Sequence, residues 1–225
     1  MKALALISFV LFLLAMPLLF FSTAVGVVSG NLSLYQWGFE RHGVAEDLGI
    51  EPGEMEEAAR GLLAYFNSPL EPVGVLVRGE ELFNEIEKVH LRDVKGLLVL
   101  DRRVQAGALA YILAFVAGNW IWRRKTFWES TLRALRWGSG LTLSLILMLG
   151  LAAVAGFDRL FLAFHLVSFS NPFWQLDPAR DKLIVMFPEG FFYDITLVIF
   201  GATALMALAL GTASHLLLRL KFARR

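Results

Sequence analysis

The sequence predicts a mainly α membrane protein: a bundle of four transmembrane helices capped by a small extracytoplasmic domain of helices and two or three short strands. Three observations predict it. Of the 225 residues, 57% are hydrophobic and 18% charged, against about 45–50% and about 25% in an ordinary soluble domain. The apolar excess gathers into four blocks free of Asp, Glu, Lys and Arg, each near or above the roughly 18–20 residues that cross a bilayer. The short polar stretches beside those blocks are strongly basic, which orients the chain.

The first block, residues 3–29, follows Lys2, and the small residues Ser22, Thr23 and Ala24 follow its most apolar part, as in a secretory signal. Its length exceeds the roughly 7–15 residues of a signal core, so we read it as a retained anchor. Residues 30–103 form the first outer segment. Within it, EPGEMEEAAR carries a helix-start signal, and Leu62, Leu63 and Phe66 recur near helical spacing. Asn67-Ser68-Pro69 ends that helix, because the residue before proline is pushed out of the helical region. Val73 to Val77 reads as a short strand closed by Arg78-Gly79. Helical spacing resumes in ELFNEIEKVHLRDVKGLLVLDRRV and runs into the second block, residues 104–122.

Residues 123–138 form a basic loop in which Arg123, Arg124, Lys125, Arg133 and Arg136 face only Glu129. The third block, 139–156, leads to the second outer segment, 157–194. Its run LFLAFHLVSF is too short to cross a bilayer and is expected to lie at the interface or re-enter. Asn171-Pro172 and Asp177-Pro178 are turn dipeptides. Phe173, Trp174, Phe191, Phe192 and Tyr193 resemble an aromatic belt at headgroup depth. The fourth block, 195–218, ends in the tail 219–225 with Arg219, Lys221, Arg224 and Arg225. Basic short loops stay cytoplasmic. Both termini are therefore expected inside, as an even number of spans requires, and both outer segments outside.

Composition also narrows the chemistry. A net charge of +1 gives no reason to invoke nucleic acid. With no cysteine, disulfides, CxxC metal sites and a thiol nucleophile are excluded. Phosphate-loop, dinucleotide, zincin and hydrolase-elbow motifs are all missing.

The four histidines differ in context. His215 lies near the cytoplasmic end of the fourth block, where a polar tip reaches water. His42 sits in a loop-like stretch with no partner nearby in sequence and is expected to be exposed. His90, on a helix, shares a face with Asp93 and Val94, so Asp93 could hold one ring nitrogen and leave the other free as a base. The plain alternative is a solvated helix end. Arg92 and Lys95 point elsewhere, towards lipid phosphates. His165 interrupts an apolar run, and on a helix Phe161, His165 and Phe169 form one stripe with Ser168 beside them. A lone histidine there is more often structural. Yet His90 and His165 fall at one membrane depth, and an ionisable group at a lipid interface is a functional hypothesis by default.

The stretches HLRDVKGLL at 90–98 and SFSNPFWQLDPARDKLIVMFPEGFFYD at 168–194, with the order of the spans and the loop sizes, carry a resemblance. The chain resembles the lipoprotein intramolecular transacylases, bacterial four-span membrane proteins otherwise classed as a domain of unknown function. The resemblance implies an enzyme of the bacterial cytoplasmic membrane acting at its extracytoplasmic face. It would move the sn-2 acyl chain of a diacylglyceryl-cysteine lipoprotein to that lipoprotein's own α-amine, giving the lyso form. The family's two essential histidines map to His90 and His165. The reaction implied needs no cofactor and no metal; its partners are the lipoprotein and membrane lipid.

An α-amine, with a pKa of about 7.7–8.0, needs only modest help to lose its proton, and imidazole is suited to that exchange. The expected roles are His90 as base, polarised by Asp93, with His165 protonating the departing alkoxide or stabilising the oxyanion; the reverse stays open. Lys95, Asn171, Trp174, Asp177 and Asp181 are supporting candidates, with turn formation the plain alternative for the last four. Ser168 and Ser170 are conceivable nucleophiles but sit in no recognisable elbow. Two other readings compete: a metal-assisted hydrolase using His90, Asp93 and His165, and a non-catalytic membrane subunit that docks a partner.

Overall fold

A computed structural model describes residues 2–68 and 74–223. Pro69 and Val73, a helix stop and a strand start in the sequence reading, and the tail residues Arg224 and Arg225 lie outside the described residues. The order of elements is α1 (Lys2–Ser29), α2 (Leu32–Arg41), α3 (Val44–Leu48), α4 (Pro52–Asn67), β1 (Leu76–Val77), β2 (Glu80–Glu81), α5 (Glu85–Trp122), α6 (Phe127–Ser168), α7 (Lys182–Met186) and α8 (Glu189–Ala223). The chain is mainly helical, and α1, α5, α6 and α8 are long and apolar enough to cross a membrane.

The last three of these helices outrun their apolar blocks. At 1.5 Å per residue, the 38 residues of α5 extend about 57 Å, against about 30 Å of hydrocarbon. The opening turns of α5 hold Glu85, Glu87, Lys88, His90, Arg92, Asp93 and Lys95. The helix therefore carries a polar stretch ahead of its apolar one.

The chain divides into two compact units. The first comprises Met1–Val25, Asp101–Leu151 and Ile199–Arg225. Its core is Phe12, Ala15, Met16, Ala108, Ile112 and Ala134. Small residues let the helices approach closely: a Cβ on Gly138 would stand 2.6 Å from Met16 Cγ. Polar pins cross between helices, from Tyr111 Oη to the Ser8 carbonyl at 2.8 Å and from Gln105 Nε2 to Thr23 Oγ1 at 3.0 Å. Outward, Leu4, Leu113, Leu147, Leu151 and Leu205 are all exposed, the surface that acyl chains would cover.

The second unit comprises Gly26–Leu100 and Ala152–Val198. Asn31 caps α2, its Oδ1 accepting from Leu34 N at 3.3 Å. Gly43 and Gly49 flank α3 with φ of 65° and 64°, a backbone region that favours glycine. Glu54 Oε2 accepts from Glu51 N at 2.8 Å across the start of α4, and Met55, Ala58, Ala59, Leu62 and Phe66 give that helix a buried face. Between β1 and β2, Arg78 (φ 55°) and Gly79 (φ 80°) make the turn, with Leu76 opposite Glu81 and Val77 opposite Glu80. These two strands are the only ones among the described residues. Arg78 donates to both Glu54 carboxylate oxygens, at 2.5 and 2.8 Å, and the Glu54 carboxyl is held below the ordinary range, chiefly by the Arg78 hydrogen bond and then by the Glu51 N–H.

An aromatic cluster fills the core of this unit. The ring of Phe39 stacks on Phe191 at 5.6 Å and meets Phe187 edge-on at 5.3 Å. Gly38 permits the approach, since a Cβ there would stand 2.4 Å from the Phe191 ring. Burial pushes the Tyr35 hydroxyl, in the same cluster, up to about 12.

The third apolar block ends at Gly156, and there α6 leaves helical geometry, with φ 175° and ψ 79°. The run LFLAFHLVSF continues beyond the bend as helix to Ser168. That last helical stretch carries Phe161 and His165, with Phe169 just past its end.

Candidate active site

The start of α5 is fixed by a polar knot. Asn84 Oδ1 accepts from Ile86 N at 3.0 Å and from Glu87 N at 3.1 Å. The Glu87 carboxylate returns the bond, accepting from Asn84 N at 2.7 Å. This reciprocal cap satisfies the first amides of the helix. Glu87 is 1% exposed, and its other oxygen accepts from Leu183 N at 2.5 Å. Asn84 Nδ2 donates to Asp181 Oδ1 at 2.8 Å, and Asp181 Oδ2 accepts from Asp177 N at 2.7 Å. The Asp177 N–H first, and the Asn84 amide after it, hold the Asp181 carboxyl below its usual range. Asp177 Oδ1 accepts from Ala179 N at 3.0 Å, shaping the turn. Asp177 and Asp181 thus fasten the 177–183 stretch to the first turn of α5.

His90 stands on the second turn of α5, and His165 on the stretch of α6 after the bend. Their ring centroids are 6.2 Å apart, with planes inclined by 31°. Both are buried, at 8% and 9% exposure. Phe169 meets His90 edge-on at 4.9 Å and lies 5.5 Å from His165. Phe161 covers another side of His165 at 4.4 Å, and Trp174 a further one at 5.0 Å. Two imidazoles therefore share a wall of aromatic rings.

Their nitrogens are not equivalent. His165 Nδ1 lies 2.8 Å from the Phe161 carbonyl. A carbonyl only accepts, so Nδ1 carries the hydrogen, and the neutral ring keeps its lone pair on Nε2. His90 Nδ1 is buried and has no hydrogen-bond partner. Buried polar atoms are nearly always satisfied, so this unpaired nitrogen stands out within the site.

Three expectations are corrected. Asp93 does not hold His90 Nδ1; its Oδ2 accepts from Asn171 Nδ2 at 2.8 Å. Helical spacing puts Asp93 on the face of His90, but a partner from a distant segment reaches the carboxylate. Lys95 does not meet lipid phosphates: it is 8% exposed, its Nζ 4.1 Å above the Tyr65 ring, a buried cation–π pair. His42 is half-buried rather than exposed, its Nε2 lying 3.0 Å from Asp194 Oδ2 of a distant segment, which also accepts from Arg41 Nε at 2.7 Å.

Sequence reasoning passed over Asn84 and Glu87. Their Asn-x-x-Glu spacing ahead of a helical run is the capping-box signal and could have revealed them. Asp194 carries no local signal of that kind.

A helical membrane protein with four long apolar helices and an aromatic-walled imidazole pair in one compact unit is the class that this fold and site define. The sequence profile of the lipoprotein intramolecular transacylase Lit matches residues 10–192. The chain belongs to that family. Among solved structures it is similar to the membrane integral lipoprotein intramolecular transacylase Lit from Bacillus cereus, with 20% identity over 99% of this chain and 100% of that one and a TM-score of 0.85. A form of that protein with a histidine replaced by arginine gives 20% identity, a TM-score of 0.80 and coverage of 100% and 96%. A form with alanine there gives 20%, 0.80, 99% and 97%. The likeness is one of fold. No curated protein matches the chain.

Proposed function

We propose that this protein is an intramolecular O-to-N acyltransferase. It takes a lipoprotein whose N-terminal cysteine bears a diacylglyceryl thioether and moves the sn-2 acyl chain to the free α-amine of the same cysteine. The observation that carries this reading is the buried pairing of His90 and His165 at 6.2 Å in a chain of the transacylase family.

The steps balance without a cofactor. The amine nitrogen attacks the sn-2 ester carbonyl, forming a C–N bond and a tetrahedral oxyanion. His165 Nε2 accepts the amine proton. The ester C–O bond then breaks, the oxyanion collapses to an amide, and the departing glycerol oxygen takes the proton back from His165. His90 donates an N–H to the oxyanion while it exists. The backbone carbonyl of Phe161 orients the His165 ring and steadies its imidazolium. This reverses the roles expected from spacing, in which Asp93 made His90 the base; the Asn171 bond to Asp93 and the fixed tautomer of His165 favour the exchange. Amine and ester belong to one molecule, so holding them in register supplies much of the acceleration. The aromatic wall of Phe161, Phe169 and Trp174 keeps water from competing with the amine.

The basic loop 123–138 and tail 219–225 support cytoplasmic termini, with 30–103 and 157–194 on the extracytoplasmic side of a bacterial cytoplasmic membrane. The metal-hydrolase reading has less to build on, because no three His, Cys, Asp or Glu side chains gather to hold an ion among the described residues.

The test gives the purified protein a diacylglyceryl lipopeptide and fragments the product by mass spectrometry. Unchanged total mass with one acyl group on the N-terminal fragment is the expected result. Release of free fatty acid would point to a lipase, and an unaltered lipopeptide would sink the reading.

A further inference from the structure

We propose that a second site, in the first unit where α6 begins and α8 ends, binds the phosphate of an anionic phospholipid headgroup. A cavity of about 530 Å³ opens there, lined by Arg133, Arg136, Trp137, His215, Leu218 and Arg219. Three arginines and a histidine converge on it, and no lining residue is acidic. Arg133 shares its charge with Glu129, 2.6 Å away, which leaves Arg136 and Arg219 as the principal cations.

The donors are arranged for an oxyanion. Arg136 Nη1 approaches His215 Nδ1 at 3.4 Å. Arginine only donates, so His215 accepts at Nδ1, and the neutral ring carries its hydrogen on Nε2. Guanidinium forks match phosphate in geometry as well as in charge. Orientation of the chain in the membrane requires only that basic residues flank the spans. It does not require residues more than eighty positions apart to close on one cavity.

The neighbours favour a lipid over a free ion. Trp137 is 58% exposed beside the cavity, as a ring at headgroup depth would be. Leu216, Leu217 and Leu220 are exposed on the same end of α8, an apolar flank along which acyl chains would run. Basic pockets between membrane helices bind headgroups in this way.

The experiment titrates delipidated, detergent-solubilised full chain by native mass spectrometry with phosphatidylglycerol, with phosphatidylcholine and with inorganic phosphate. Phosphatidylglycerol is expected to bind more tightly than phosphatidylcholine. Each of Arg136→Gln and Arg219→Gln is expected to weaken it about fivefold and to leave phosphatidylcholine binding unchanged. Arg219 is exposed, so its variant tests the site without disturbing the core, and thermal unfolding verifies the fold. Equal binding of the two lipids, or wild-type phosphatidylglycerol binding in both variants, would overturn the site. Displacement of phosphatidylglycerol by an equal concentration of inorganic phosphate would overturn the lipid as its ligand.

Discussion

Asn171 Nδ2 donates a 2.8 Å hydrogen bond to Asp93 Oδ2 across 78 residues of chain. The bond joins the two stretches that carry the family resemblance, and it occupies the carboxylate that helical spacing offered to His90. Asn171→Ala should therefore act at a distance, by releasing Asp93 and the loop that positions Trp174 against His165. A hydrogen bond to a charged group contributes about 1.5–3 kcal/mol, so the transacylation rate should fall about tenfold or more. Asn171→Asp, which sets two carboxylates together, should be worse still. Rates on a fixed lipopeptide, beside thermal unfolding of each variant, separate positioning from collapse.

The two histidines should respond differently to conservative replacement. His165→Ala and His165→Gln should both lose about 10²–10⁴-fold, because neither alanine nor an amide can take the amine proton. His90→Ala should lose about 10²–10³-fold, the loss expected for one oxyanion donor. His90→Gln restores an N–H and should recover part of that loss. Equal losses in the two glutamine variants would argue against the division of roles.

Acid should loosen the Asp181 end of the polar knot. The folded Asp181 carboxyl titrates below its unfolded value, so its contribution is full above about pH 4 and disappears as pH falls through the folded value. Unfolding temperature should drop along that limb. Asp181→Asn should start less stable at neutral pH and vary less with acid. Thermal melts across pH 3–6, a range set about the ordinary carboxyl values, follow both.

Gly38→Ala tests the aromatic cluster. Its new Cβ meets the Phe191 ring at 2.4 Å, and overpacking of this kind costs about 1–3 kcal/mol. Gly38→Ala combined with Phe191→Leu should recover part of the loss, measured as unfolding temperature.

Topology can be read directly, because the chain has no cysteine of its own. Glu80→Cys, on the exposed hairpin, should react with a membrane-impermeant maleimide in intact cells. Lys125→Cys, in the basic loop, should react only after permeabilisation. The opposite pattern would invert the proposed orientation.

The four apolar helices were legible in the sequence because hydropathy over some twenty residues is a strong local signal. The end of the third block, at Gly156, coincides with the bend in α6. The helical stripe of Phe161, His165 and Phe169 was legible too, since periodicity fixes which side chains neighbour each other. What escaped was pairing across long separations. His42 finds Asp194, Asp93 finds Asn171, and Lys95 lies over Tyr65 from another helix. Spacing within one helix ranks only the partners that helix supplies. A carboxylate or ammonium on its surface goes to whichever distant group the tertiary packing brings nearest.

The bond from Asn84 to Asp181 closes a loop spanning 97 positions, and Glu87 to Leu183 closes one of nearly the same span. Secreted domains commonly make such closures with disulfides, whose formation and reshuffling take seconds to hours. Here the clasp is made of a carboxamide, two carboxylates and backbone amides, so it is indifferent to oxidant or reductant. It can open and re-form without any bond-forming enzyme, and acid acting on the Asp181 carboxylate, rather than thiol, is the reagent that should loosen it.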